Sequence, residues 1–179
     1  TINYNEYQTL FSAMIEDWRE TWGYDFPFYY AQLAPFPTEG TLGVREAQRK
    51  TLESTKNTGM AVLMDIGEED DIHPHNKQDV GKRLALLALD KQYGFNYVSS
   101  GPKYKSHQAN SRYLYVDFES VGSGLDFIGG ENGFEIAGKD NNFYPATAKI
   151  INNRIRLYSK NVKKPINVRY GWKNWTVGT

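Results

Sequence analysis

Apolar side chains in the first half of the chain follow two different spacings. A repeat of three and four residues predicts amphipathic helices over 7–22, 44–55 and 76–93. Between the helices, FPFYYAQLA at 26–34 and MAVLMDI at 60–66 are short and almost continuously apolar, which is typical of strands buried on both faces of a parallel sheet. The order helix, strand, helix, strand, helix predicts an α/β layer.

Two strands make a small parallel sheet with unpaired edges. The apolar stripe of the first helix, which includes Trp18 and Trp22, is wider than two strands can cover. We therefore expect the first half to be the closing part of a larger α/β domain.

The second half of the chain has a period of two, with polar and apolar residues in alternation. Turns rich in glycine and asparagine separate the alternating segments, as in an antiparallel sandwich. Strands are predicted over 112–119, 143–150, 154–159 and 166–172. The change of period places the domain boundary between two predicted domains, 1–95 and 96–179.

The charges sum to zero but are unevenly distributed. The 21 basic and 21 acidic residues divide into 9 basic and 15 acidic up to Phe95, and 12 basic and 6 acidic after it. The basic residues of the second half occur singly along alternating strands, which favours solvated strand faces over a nucleic-acid site. No stretch approaches the roughly 20 apolar residues of a membrane span. The absence of cysteine excludes disulfides, thiol catalysis and cysteine–zinc sites.

The chemically richest segment is DIGEEDDIHPHNK, residues 65–77, directly after the second predicted strand. Ligands of open α/β sheets bind beyond the carboxyl ends of the strands, so this loop lies where sites are usually built. Its acidic and histidine side chains allow a metal site, although their spacing fits no EF-hand. They also suit the N-terminus of the following helix, where negative charge is favourable.

A catalytic interpretation rests on Asp70 and His73. The D-x-x-H spacing lets a carboxylate accept a hydrogen bond from imidazole Nδ1, which leaves Nε2 as a general base for a hydroxyl nucleophile. Pro74 would stiffen the turn that presents the ring. The residues alone leave the metal, helix-cap and catalytic interpretations open.

Longer segments resemble a known family. DDIHPHNKQDVGKRLALLAL at 70–89 is similar to the last catalytic block and following helix of bacterial sialate O-acetylesterases, members of the SGNH hydrolase superfamily. Four further segments resemble that family in collinear order: AMIEDWRETWGYDFPFYYAQLAPF at 13–36, VREAQRKTL at 44–52, GFEIAGKDNNFYPATAKI at 133–150 and VRYGW at 168–172.

The resemblance implies a fold class and a set of roles. The fold class is α/β: the C-terminal part of an SGNH-type α/β/α hydrolase layer, followed by an antiparallel β-sandwich portion. His73 matches the catalytic histidine. The acidic partner is Asp70 by the superfamily spacing or Asp71 by the position common in this family, and we prefer Asp70. His75 is expected to be a surface residue, and His107 has no evident partner.

The resemblance also implies a nucleophile that we do not find. The family's serine belongs to a Gly-Asp-Ser type block, and Ser12, Ser54 and Ser99 lie in no comparable turn. We expect the N-terminal part of the same protein to supply that serine and this chain alone to be inactive. The implied reaction is hydrolysis of an O-acetylated sugar without a cofactor, in a secreted or periplasmic protein with no nucleic-acid or membrane partner.

The alternative from another class is a carbohydrate-binding or structural β-sandwich module without catalysis. Tyr170, Trp172 and Trp175 are aromatic residues that suit stacking on sugar rings, although core packing explains Tyr170 equally well.

Overall fold

The computed structural model describes residues 4–128 and 133–178, which form two compact units. One comprises Thr1–Ser100 with Lys173–Thr176, and the other Gly101–Trp172 with Val177–Thr179. The assignment of 1–95 to a hydrolase domain and 96–179 to a sandwich domain stays a prediction, because compactness alone does not identify a domain.

The first unit contains the predicted alternation of helices and strands. Its elements are α1 (Tyr4–Trp22), β1 (Phe28–Ala31), α2 (Thr41–Ser54), β2 (Thr58–Ala61) and α3 (Lys77–Lys91). β1 and β2 pair in parallel, with Phe28 opposite Thr58 and Ala31 opposite Ala61. The three helices, the two strands and their parallel order are therefore confirmed.

Both strands are shorter than their apolar blocks. The predictions over 26–34 and 60–66 were too long, because each strand ends after four residues. Leu63 and Ile66 leave the sheet and pack with Ala61 and Leu87 in the core of this unit. Continuous burial therefore extends past the last ladder hydrogen bond, and hydrophobicity alone does not show where the ladder stops.

Arg19 of α1 fixes the segments that lead into the two strands. Its side chain is 6% exposed, and its guanidinium donates to the carbonyl oxygens of Phe26 at 3.0 and 3.1 Å, Lys56 at 3.1 Å and Asn57 at 3.0 Å. A planar guanidinium suits this task because its donors diverge in a fixed fork.

The apolar stripe of α1 is only partly covered. Ile15 is fully buried, whereas Leu10, Trp18 and Trp22 are 63%, 45% and 64% exposed. The Trp18 ring lies 5.9 Å from the ring of Phe28 between centroids. This confirms the expectation that two strands do not cover the whole stripe.

The start of α2 is capped from far along the chain. Gly40, its N-cap residue, has no side chain to accept a hydrogen bond. Asn174 takes this role: its side-chain Oδ1 accepts from the backbone N–H of Leu42 at 3.0 Å, and its backbone carbonyl accepts from Phe36 N at 3.1 Å. Arg45, which is 3% exposed, also donates to the carbonyl of Asn174, at 3.0 Å.

The second unit is built from two antiparallel sheets. Its strands are β3 (Lys103–Asn110), β4 (Tyr113–Glu119), β5 (Phe134–Ala137), β6 (Tyr144–Pro145), β7 (Thr147–Ile151), β8 (Arg154–Tyr158) and β9 (Asn167–Tyr170). The sheet orders are β3-β4-β8-β7 and β6-β5-β9. Leu114 and Leu157 of the first sheet share one core with Phe134 and Ile136 of the second. The antiparallel architecture predicted for this half is confirmed.

The alternation of polar and apolar residues does not predict β3 or β5. One predicted strand is wrong, because the structure has two strands there. Every residue of β3 is exposed, so its sequence KYKSHQAN carries no apolar period. β5 has only four residues. The predicted strand over 143–150 is two strands, because the chain changes sheets at Ala146. Within the described residues, no helix is both long and apolar enough to cross a membrane.

Candidate active site

The candidate site is the loop over 62–76, which joins β2 to α3 beyond the carboxyl ends of the parallel strands. Its first residues are fixed by the buried Leu63 and Ile66. Arg83 of α3 holds the intervening Asp65 with two hydrogen bonds, 2.7 Å to Oδ1 and 2.6 Å to Oδ2. These bonds, followed by the charge of the guanidinium, lower the pKa of the Asp65 carboxyl. The loop thus starts from a rigid base that the sequence analysis did not identify.

Gly67 brings the loop against the segment that follows β1. A Cβ atom at this position would lie 2.6 Å from the carbonyl oxygen of Pro35, closer than any side-chain carbon can approach. Pro35 is itself buried. The segments that leave β1 and β2 therefore meet at one edge of the sheet.

His73 is presented to solvent at the outer part of the loop. Its side chain is 86% exposed, and its backbone N–H donates to Oδ1 of Asp71 at 2.8 Å. The ring nitrogen Nδ1 lies 3.6 Å from the same oxygen, which is too long for a hydrogen bond but leaves the carboxylate facing that nitrogen. Nε2 is the ring nitrogen remote from Asp71.

Of the two candidate acids, the structure brings Asp71 to His73. Asp70 is exposed, and the hydrogen bonds found among residues 4–128 and 133–178 include none between Asp70 and His73. The D-x-x-H spacing requires a turn that brings the Asp70 carboxylate next to the imidazole ring of His73. Here the backbone N–H of His73 donates to the side-chain carboxylate of Asp71, which makes a tighter turn that spans two residues.

His75 is exposed as predicted, but it is also paired. Its backbone N–H donates to Oε1 of Glu68 at 2.7 Å, and its Nδ1 lies 2.8 Å from Oε2. The backbone and side-chain hydrogen bonds from His75 lower the pKa of Glu68, and the hydrogen bond to Glu68 raises the pKa of His75. This pair closes the loop around His73, and the sequence analysis did not single out Glu68.

The end of the loop serves the helix that follows. Asn76 is the N-cap of α3, and its Oδ1 accepts from the backbone N–H of Asp79 at 3.1 Å. Asp79 lies in the first turn, where a negative charge is favourable. The helix-capping role is therefore confirmed for Asn76, which leaves the acidic residues 68–71 outside the cap itself.

The metal interpretation has one matching group. Glu68, Asp71 and His75 each offer a ligand atom within 4.8 Å of the others. Glu68 and His75 already satisfy one another, and exposed acidic groups often gather without an ion. These contacts explain the cluster without a cation.

A cavity of about 320 Å³ lies beside the loop. Ile72 and Pro74, the two neighbours of His73, form part of its wall. The other lining residues come from the end of β1 and the segment after it, from α1 and α2, from the start of the loop and from the start of α3: Tyr7, Ala31, Gln32, Leu33, Ala34, Val44, Gln48, Leu63, Ile66, Lys77 and Val80. Most of these lining residues are apolar, and the polar ones are few.

The serines considered as nucleophiles are engaged elsewhere. Ser12 accepts a hydrogen bond from the Thr55 hydroxyl at 2.9 Å, Ser54 donates to the carbonyl of Thr51 at 3.5 Å, and Ser99 donates to Asp90. Ser12 and Ser54 lie within helices, which is not the exposed turn that a nucleophile requires.

His107 does have partners, contrary to the sequence analysis. The Tyr104 hydroxyl lies 2.7 Å from its Nδ1, and its Nε2 lies 2.9 Å from the carbonyl oxygen of Ile166. The latter bond spans 59 residues, so sequence spacing gives no sign of it. A ring held at both nitrogens is a structural histidine.

Comparison with known proteins identifies relatives of one kind. A human protein named sialate O-acetylesterase is 36% identical over 126 residues, which cover 56% of this chain and 24% of the relative. The mouse protein of the same name is 32% identical over 123 residues, covering 56% and 23%. The crystal structure of a carbohydrate acetylesterase from Xanthomonas citri superposes with a TM-score of 0.85 at 41% identity, over 94% of this chain and 41% of that one.

The chain spans about a quarter of the length of these curated relatives and about two-fifths of the solved structure. No protein-family model matches it. The structural agreement nevertheless extends over nearly every residue at an identity far above chance. The chain resembles the sialate O-acetylesterases in sequence and a carbohydrate acetylesterase in both sequence and structure.

Proposed function

We propose that this chain supplies the catalytic histidine of a carbohydrate O-acetylesterase. The observation that carries the proposal is the position of His73: its ring is exposed on a loop beyond the carboxyl ends of β1 and β2, and both of its neighbours line a cavity of about 320 Å³. A general base must reach the hydroxyl that it activates, and the exposed His73 ring is accessible to such a group although it does not itself line the cavity.

In the proposed reaction, a serine Oγ attacks the carbonyl carbon of an acetyl ester while Nε2 of His73 accepts its proton. The imidazolium returns this proton to the sugar oxygen as the ester bond breaks, which releases the sugar and leaves an acetyl-serine. Water then attacks the acetyl carbon while His73 accepts its proton, and His73 returns that proton to the serine Oγ as acetate leaves. No cofactor takes part. Because Ser12, Ser54 and Ser99 have other partners, we assign the nucleophile to polypeptide outside these residues, the N-terminal part of the same protein.

We assign the orienting carboxylate to Asp71, with Asp70 as the alternative. Oδ1 of Asp71 already accepts the backbone N–H of His73 and faces Nδ1 at 3.6 Å. Catalytic hydrogen bonds are often long before the substrate binds, so a small rotation of the ring would complete this one. A carboxylate at Nδ1 fixes the tautomer with Nε2 free and stabilises the imidazolium.

The wider setting follows from the family. We propose that the first unit is the C-terminal part of an SGNH-type α/β/α layer and that the substrate is an O-acetylated sugar, either a sialic acid or an acetylated hemicellulose. A secreted or periplasmic location fits such a substrate, and neither nucleic acid nor a membrane is expected as a partner.

The test uses the full-length gene product that includes a serine-bearing segment. His73→Ala should lower the rate of acetate release from an acetylated sugar by roughly 10³-fold or more, because removing the base of such a triad has effects of this size. Asp71→Asn should cost more activity than Asp70→Asn if the assignment of the acid is right. The initial rate of acetate release at saturating substrate measures both.

The matched control is His75→Ala, which removes the neighbouring imidazole two residues away. This variant should retain most of the activity, since Nδ1 of His75 is bound to Glu68. An unchanged rate in His73→Ala would eliminate the catalytic role, and equal losses in the two histidine variants would indicate damage to the loop.

A carbohydrate-binding module without catalysis is the second candidate function. Two of the aromatic residues named for it are accessible, Tyr170 at 37% and Trp172 at 40% exposure, whereas Trp175 is half-buried. Tyr170 also packs on Phe134, with 4.6 Å between ring centroids. Binding of a sugar by the chain, with no esterase activity in the full-length protein, would favour this candidate.

A further inference from the structure

The outward face of β4 and β8 carries an array of tyrosines and arginines. Alternate residues of these two strands bury Leu114, Val116, Ile155 and Leu157, so the residues between them face away from the core. We call this surface the Tyr–Arg face and define it by Arg112, Tyr113, Tyr115, Arg154, Arg156 and Tyr158.

Each arginine of the Tyr–Arg face lies over a tyrosine ring. The guanidinium carbon of Arg156 is 4.6 Å from the ring centroid of Tyr113. The corresponding distances are 5.6 Å from Arg112 to Tyr158 and 5.2 Å from Arg154 to Tyr115. Tyr113 and Tyr158 also contact each other, with 5.7 Å between centroids. Cation–π contacts hold the guanidinium planes in place and leave N–H groups at their edges.

The Tyr–Arg face has more positive than negative charge. Asp117 of β4 binds Arg154, whose Nη2 donates to its Oδ2 at 2.9 Å. Among the described residues, no ion pair joins an acidic group to Arg112, Arg156 or Lys149, and Lys149 lies directly opposite Arg156 in the ladder between β7 and β8. Three cations therefore remain uncompensated on one surface.

Uncharged hydrogen-bonding groups border these cations. The strand register places Gln108 opposite Tyr115 and Asn110 opposite Tyr113 on one side, and Thr147 opposite Tyr158 on the other. All three residues are exposed. Amide and hydroxyl groups beside aromatic rings can bind sugar hydroxyls while the ring contacts the C–H face of the sugar.

We propose that the Tyr–Arg face binds an acidic glycan, an oligosaccharide whose sugar units carry carboxylate groups. Carboxylates match the guanidinium fork of Arg112 and Arg156, and the surrounding amides and hydroxyls match the sugar hydroxyls. A nucleic acid is a poorer fit, because the chain has no net charge and three uncompensated cations are few for a phosphate backbone. The proposal does not depend on the esterase activity, since the site is the outer surface of a β-sheet in the second unit.

The experiment measures binding to the purified full-length gene product by calorimetry at low salt. The probes are a galacturonate tetrasaccharide and the neutral tetrasaccharide made by reducing its carboxylates. We expect the acidic probe to bind at least about tenfold more tightly, since hydrogen bonds between charged groups have free energies that correspond to factors of this size. Equal affinity for the two probes would overturn the proposal.

The variant pair Arg112→Gln with Arg156→Gln should weaken binding of the acidic probe by about tenfold or more. The matched control is Lys163→Gln with Lys164→Gln, which removes the same charge from an exposed loop of the same unit and should change the affinity by less than about twofold. Circular dichroism confirms that the variants fold. Equal weakening in both pairs, or tighter binding of an oligothymidylate with the same number of charges, would contradict a specific glycan site.

Discussion

At the residue scale, Glu68 and His75 form the pair that closes the loop carrying His73. The pKa of His75 is raised above its ordinary value near 6.5, first by the hydrogen bond to Glu68 and then by the charges of Glu68 and Asp71, while Lys77 opposes the shift. The pKa of Glu68 is lowered from its ordinary value near 4.5. Both side chains are accessible to solvent, so salt weakens their attraction.

These two shifts define a pH window. A raised histidine pKa contributes stability below its unfolded value and loses it as the pH rises through the folded value. A lowered carboxyl pKa contributes stability above its unfolded value and loses it as the pH falls. The pair is therefore fully effective between about pH 4.5 and about pH 6.5.

His75→Gln should consequently lower the melting temperature more at about pH 5.5 than at about pH 8.5. Thermal unfolding of wild type and variant in low salt at the two pH values measures this difference. His73→Gln provides the control, because Nδ1 of His73 is 3.6 Å from Asp71 and makes no comparable contact. An equal loss for His75→Gln at both pH values would mean that the pair contributes only through its shape.

Sequence reasoning locates part of this chemistry. The loop after a buried strand draws attention to position 73, and the resemblance of residues 70–89 to a catalytic block implies its role, which stays a prediction. The pairing of Glu68 with His75, and the choice of Asp71 over Asp70 as the nearer carboxylate, depend on how the loop turns. Residues seven positions apart in an irregular loop follow no periodic pattern, so the sequence does not predict a hydrogen bond between them.

At the scale of elements, two glycines show how differently the loop and the helix tolerate a methyl group. Gly67 lies against Pro35, where a Cβ would be 2.6 Å from a backbone oxygen. Gly81 lies inside α3 with nothing within 4 Å of the corresponding position. A methyl group at Gly67 would force two backbone segments apart, whereas a methyl group at Gly81 would occupy open space.

Gly67→Ala should therefore lower the free energy of unfolding by about 1–3 kcal/mol, the usual range for an overpacked site. Gly81→Ala is the matched control and should raise it by about 0.5–1 kcal/mol, since alanine is the better helix former. Urea denaturation at constant temperature measures both values. A Gly67→Ala protein as stable as wild type would show that the two segments are not packed together.

The helices and most strands of the second unit could be predicted from their period, and β1 and β2 from their continuous apolar runs. β3 could not, since all eight of its residues are exposed and its pairing with β4 is set by hydrogen bonds alone. The ends of β1 and β2 were also missed. The apolar segments continue into the core of the first unit after the strands end. A buried segment is therefore longer than the strand within it.

At the scale of the whole molecule, the last residues of the first unit come from the end of the chain. Lys173–Thr176 join Thr1–Ser100, and Asn174 provides the cap that Gly40 cannot give to α2. Sequence periodicity could not reveal this, because the four residues form neither a helix nor a strand. Collinear resemblance to a family predicted the order of the elements but not this long-range bond.

Asn174→Ala should lower the free energy of unfolding by about 1–2 kcal/mol, because the backbone N–H of Leu42 loses its acceptor at a helix start. Lys173→Ala is the control. Its side chain is exposed, and its described hydrogen bond, from Arg45, goes to the backbone carbonyl that alanine retains. Chemical denaturation of the two variants side by side measures the difference, and equal stabilities would show that the cap contributes nothing.

The bond between Leu42 and Asn174 also bears on synthesis. The two residues are 132 positions apart, and the ribosome makes Gly101–Trp172, the main part of the second unit, between them. During translation, α2 leaves the ribosome before Asn174 has been made. Its first turn therefore lacks the Asn174 cap until that segment has been translated. A nascent chain that stops before this segment contains Thr1–Ser100 of the first unit but not Lys173–Thr176. The uncapped start of α2 is then accessible to chaperones and proteases.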